Sequence, residues 1–110
     1  MNVYDTANQL AKEIRQSTEF IQYKKIKESI EANAEFKQKI DDFEKLRYDI
    51  QVLAMKGEEV AQEKNQKLQE MYTILIQNKE IKEYFDLEVK FNVMLADVNK
   101  IIAESVQDVL

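Results

Sequence analysis

Two pairs of adjacent carboxylates, Asp41-Asp42 and Glu58-Glu59, are the first residues of this chain with types suited to acid/base chemistry. Such work needs two carboxyl groups aimed at one point. On a helix, consecutive side chains point ~100° apart, so neither pair makes a dyad and both read as solvated surface. Glu88 differs because it falls inside an apolar seam. There it either pairs with a basic group across an interface, such as a Lys or Arg47, or stays solvated where the seam frays. A di-metal carboxylate site in a helix bundle needs Glu-x-x-His on two helices, and the chain has no His. That also removes the commonest general base and metal ligand. The absence of Cys excludes disulfides, thiolate metal sites and cysteine nucleophiles. The single glycine, Gly57, cannot build a phosphate-cradling loop. The expectation is a non-enzymatic protein with no catalytic set, no cofactor and no bound functional metal.

Binding chemistry is the alternative. Lys24, Lys25 and Lys27 lie beside Phe20 and Tyr23, a mixture loosely like a nucleic-acid platform. Glu28 and Glu31 follow at once, and the aromatics sit at helical spacing. A solvated lysine face over core aromatics is the reading these residues favour. The net charge of −5, from 21 acidic and 16 basic side chains, points the same way, because generic nucleic-acid binding requires a basic face. No direct nucleic-acid binding is expected. Asn92 and Asn99 lie on one side of the last helical segment, and Asn is a poor helix-interior residue. They either hydrogen-bond across a helix–helix contact or are plain surface.

The elements that would position these groups are helices. In 110 residues there is no Pro and one Gly, while hydrophobic residues make up 45% and charged residues 34%. Hairpin turns lean on Gly and Pro, whereas Ala, Leu, Glu, Lys, Gln and Met favour helix. The expected fold is all-α, a five-helix bundle-like chain forming one domain over residues 1–110. Short helices are expected at about 3–16 and 18–32, with longer ones at about 34–56, 59–77 and 79–108. Asn2, Ser17 or Thr18, Asn33 and Asn78 supply the punctuation, and Lys56-Gly57 ends the third helix. Phe36, Ile40, Phe43, Leu46, Ile50 and Leu53 form the third helix's apolar stripe. The pairs Glu35–Lys39, Asp41–Lys45, Glu63–Lys67 and Asp86–Lys90 dress the polar faces at i,i+4 spacing. No apolar run approaches the ~20 residues of a membrane span, and no signal pattern opens the chain. The expected location is cytoplasmic, without membrane association.

The last helix carries the most information. Ile81, Tyr84, Glu88, Phe91, Leu95, Val98, Ile102 and Ser105 alternate in steps of three and four, a heptad seam. Val89, Val93, Met94, Ile101 and Val106 lie beside it. So wide an apolar arc needs several neighbours, some of them supplied by a second copy. Phe91, Leu95, Val98, Asn99 and Ile102 are the candidate interface of a homodimer or larger oligomer.

These residues also carry a resemblance. The Asn33 boundary, Lys56-Gly57-Glu58-Glu59, Asn78 before the last helix, and Phe91-Asn92-x-x-Leu95-x-x-Val98-Asn99-x-Ile101 resemble the YlbF/YmcA family of bacterial helical proteins, within it the YheA-like branch. The family's usual Asp-Pro boundary appears here as Asn33-Ala34. The resemblance spans nearly the whole chain and rests on helix-packing patterns. It implies an all-helical dimer whose relatives act in competence, sporulation and biofilm formation as non-catalytic partners of ribonuclease Y. Iron–sulfur clusters held by some relatives do not carry over to a chain without Cys. The expected function is a cytoplasmic, homo-oligomeric protein-interaction or regulatory adaptor module, with a second cytoplasmic protein as the other class of partner. The alternative is an accessory factor of RNA processing.

Overall fold

A computed structural model of the chain describes residues 2–110. It contains five α-helices: α1 (Val3–Gln16), α2 (Thr18–Glu31), α3 (Ala34–Met55), α4 (Gln62–Leu75) and α5 (Lys79–Glu104). No strand occurs among the described residues. The described residues pack as two compact units, residues 28–83 and residues 2–27 with 84–110, where the sequence suggests one domain.

The boundaries have local causes. The Asn2 side chain accepts the Asp5 N–H at 2.9 Å, and that of Asn33 accepts the Phe36 N–H at 3.1 Å. Asn78 does the same for the Ile81 N–H at 3.1 Å. Each satisfies a donor that the first helical turn leaves open, a contribution of about 1 kcal/mol. Ser17 serves two helices. Its hydroxyl donates to the Ile14 carbonyl at 2.6 Å and accepts the Phe20 N–H at 3.1 Å.

At the end of α3, Gly57 adopts φ 73°. Its N–H reaches the Ala54 carbonyl at 3.1 Å, and the Glu58 N–H reaches Leu53 at 3.0 Å. This is the paired C-terminal motif that favours glycine at the left-handed position. The turn holds residues 58–61 out of helix, so α4 starts at Gln62 rather than near 59. Ala61, at the N-cap of α4, makes no side-chain capping bond. That helix also stops at Leu75 rather than 77, and α5 stops at Glu104 rather than 108. Beyond Glu104 the backbone tightens, with Ser105, Val106 and Gln107 bonding three residues back.

Within residues 28–83, α3 and α4 form a helical hairpin. Ile40 and Phe43 of α3 and Leu75 of α4 are buried, as are Ile30 and Ile81. The expected α3 stripe is its least exposed face, with Phe36, Leu46, Ile50 and Leu53 half-buried. The rings of Phe43 and Tyr72 stand 5.9 Å apart, and the Arg47 guanidinium lies 5.5 Å from the Phe43 ring. Arg47 also bridges to Glu44. Ser29 donates a 2.5 Å hydrogen bond to Glu80, which ties the end of α2 to the start of α5. On the surface Glu35 pairs with Lys39 at 3.0 Å as the spacing implies. Asp41 pairs backward with Lys37 at 3.4 Å rather than forward with Lys45.

Candidate functional site

The other unit shows one well-covered side of α5 and one bare side. Phe20 and Tyr23 of α2 meet Phe91 of α5 at ring distances of 6.0 and 5.4 Å. Tyr23 also meets Tyr84 at 5.9 Å, and Tyr84 meets Phe85 at 5.4 Å. These aromatics are therefore packing residues rather than base-stacking platforms. Cations cap the cluster, with Arg15 at 5.1 Å from the Phe20 ring and Lys27 at 5.6 Å from the Tyr23 ring. The Tyr23 hydroxyl donates to the Glu88 carboxylate at 3.3 Å. Glu88 is thus half-buried within the seam rather than left in solvent.

Past this cluster the cover gives out. Of the five candidate interface residues, Phe91 is half-buried against its own chain's Phe20 and Tyr23. Leu95 and Val98 are also half-buried, Asn99 is exposed, and Ile102 is 52% exposed. The barest apolar positions within α5 belong to the neighbouring row: Val89 is 60% exposed, Val93 53% and Ile101 69%. Val89, Val93, Asp97 and Ile101 recur every fourth residue, and that spacing is the sequence signal for this face.

Two open troughs flank this half of α5. One, of about 690 Å³, is lined by Asn2, Val3, Thr6, Ala7 and Leu10 of the α1 region together with Ile102. The other, of about 470 Å³, lies between Glu19 of α2 and the α5 residues Val89, Lys90, Val93, Met94, Asp97, Val98 and Ile101. The Asp86–Lys90 pair suggested by spacing does not form. Neither Lys90 nor Asp97 has an ion-pair partner among the described residues. α1 has no buried residue although Val3, Ala7, Leu10 and Ile14 share one of its faces.

Among the described residues no group of His, Cys, Asp or Glu is arranged to hold a metal ion. No helix among them is long and apolar enough to cross a membrane.

The family model described as "Control of competence regulator ComK, YlbF/YmcA" matches residues 3–107. The chain belongs to the YlbF/YmcA family. A UPF0342 protein of Caldicellulosiruptor bescii is 40% identical over 106 residues, covering 96% of this chain and 89% of the relative. A UPF0342 protein of Bacillus cytotoxicus is 34% identical over 107 residues, covering 97% and 92%. Among solved structures, a protein of unknown function (DUF964) from Bacillus stearothermophilus superposes with a TM-score of 0.84 at 19% identity, covering 96% of this chain and 93% of that one. Bacillus subtilis RicA, solved in complex with RicF, superposes at 0.61 with 21% identity, covering 96% and 94%. At those identities the structures share the fold. Family membership makes this all-α chain one of a class of cytoplasmic regulators rather than enzymes.

Proposed function

We propose that the chain is a self-associating adaptor. It acts by presenting a helical surface to other proteins, and copies of it pair through the C-terminal half of α5. The observation that carries this reading is the bare apolar row Val89, Val93 and Ile101, with Ile102 beside it, on the side of α5 away from its packing with α2. Soluble monomers rarely keep contiguous apolar patches of this kind. Phe91, Leu95, Val98, Asn99 and Ile102 belong to the same helix half, with Phe91 and Leu95 as the inner wall and Ile102 at the rim. Sedimentation equilibrium at tens of micromolar, with helicity followed by circular dichroism, tests the reading. A dimer or larger species is expected, and a fully helical monomer would overturn it.

A second reading is favoured by the solved RicA–RicF complex, in which a protein of this fold assembles with a different chain. The same bare face would then take a related but distinct helical protein, in keeping with an accessory role in RNA processing. Affinity capture from the native cytoplasm, with and without ribonuclease treatment, separates the two readings. Capture of a stoichiometric partner that survives ribonuclease supports the heteromeric one. Direct binding of generic RNA at ~0.15 M salt is not expected from a chain of net charge −5. A filter-binding assay showing micromolar affinity with a steep salt slope would promote the RNA role.

A further inference from the structure

The trough beside α2 has a charge pattern that constrains how a second copy can enter it. Lys90 and Asp97 sit on the same face of α5, about 10 Å apart along the axis. Between and beside them lie Val89, Val93, Met94 and Val98. Neither charge has an ion-pair partner among the described residues. A parallel pairing of two copies stacks Lys90 on Lys90 and Asp97 on Asp97, a repulsive arrangement at both positions. An antiparallel pairing about a two-fold axis through the Val93–Met94 midpoint does the opposite. Residues equally far from that midpoint then meet. Lys90 of each copy faces Asp97 of the other, and Val93 and Met94 of both copies meet around the axis. Two ion pairs close the two ends of an apolar centre.

We infer that α5 pairs antiparallel with α5 of a second copy through this face, with reciprocal Lys90–Asp97 contacts setting the register. The inference rests on the self-association reading and goes beyond it by naming the face, the direction and the contacts. The self-complementary charge of the face makes a second copy its occupant, because the lysine at one end answers the aspartate at the other. Isologous two-fold pairing is also the commonest symmetry of soluble homo-oligomers. Glu19 lines the same trough and adds a second carboxylate to its wall.

The test is charge reversal, measured by sedimentation equilibrium at ~0.15 M salt with circular dichroism as the control for folding. Lys90→Glu alone and Asp97→Lys alone each create two like-charge contacts, and each is expected to weaken association by about ten-fold. The two single variants mixed one to one are expected to associate as wild type does. In that mixed pair each substituted side chain meets the other copy's substituted one with opposite charge, and the unaltered Asp97 of one copy meets the unaltered Lys90 of the other. The double variant Lys90→Glu/Asp97→Lys is likewise expected to regain wild-type affinity. Single variants that associate as wild type does overturn the inference, as does a double variant no tighter than the singles. Loss of association in Ile102→Glu, with the charge reversals silent, would assign the interface to the trough beside α1 and overturn it too. A helical wild type that never associates overturns the self-association reading itself, so the two failures are distinguishable.

Discussion

The α3–α4 hairpin and the C-terminal half of α5 are both built from apolar residues at helical spacing, yet they end differently. In the hairpin, Phe43 meets Tyr72, and Ile40 and Leu75 are buried, so the stripe of one helix is closed by the next element of the same chain. In α5 the stripe continues past the ring contacts with α2. Phe91 is the last residue with aromatic neighbours from α2, while Val89, Val93 and Ile101 look out on open troughs. Equal periodicity therefore signals a core in one place and an interface in the other. What separates them is whether the chain supplies a second helix at that distance.

The strongest way to break the hairpin is Phe43→Ala, which empties a site only 4% exposed and removes a ring contact. Chemical denaturation should show a loss of about 3–5 kcal/mol. The matching change on the open face, Val93→Asp, should leave thermal stability of the folded chain nearly unchanged at low concentration and weaken association by about ten-fold or more. Sedimentation and a melting curve taken on the same samples would check it. If Val93→Asp unfolds the protein while association is intact, the contrast between the two regions is wrong. A smaller effect is expected at Gly57→Ala. A methyl group there meets nothing within 4 Å, so the cost comes only from φ +73°. A loss of about 1 kcal/mol in denaturant unfolding is expected. The smallest is Lys39→Ala, which removes an exposed pair with Glu35 at 3.0 Å. No more than ~0.5 kcal/mol should be lost, and half-molar salt should erase the difference.

Local chemistry is the most legible part of this sequence. Asn2, Asn33 and Asn78 cap helices, and Gly57 ends one, because each effect is decided within a few residues. The start of α4 reads too early from the sequence because Glu58-Glu59 has the composition of a helical first turn. The turn around Gly57 instead commits the backbone of residue 58 to bonding back to Leu53. The end of α5 reads too late because Val106 is an apolar residue in the right phase. There the Ser105 hydroxyl donates to the Ile102 carbonyl at 2.6 Å, and the backbone shifts to tighter turns. For the candidate site, the helix and its wide arc are readable, but the inner and outer rows are not. Periodicity gives the angle between side chains on one helix and says nothing of which neighbour stands opposite. The packing of Phe91 on Phe20 and Tyr23 is a fact about α2, an element far earlier in the chain.

The stretch from Lys56 to Ala61 joins α3 to α4 without helical structure, and residues 56–59 are exposed. Its turn is fixed by the backbone of Gly57 and Glu58 rather than by buried side chains. Exposed, small or polar loop tips of this kind are where proteases nick and where added peptide is best tolerated. A fluorophore or epitope tag placed between Glu59 and Val60 would therefore report on the molecule while leaving both faces of α5 free to engage whatever they engage.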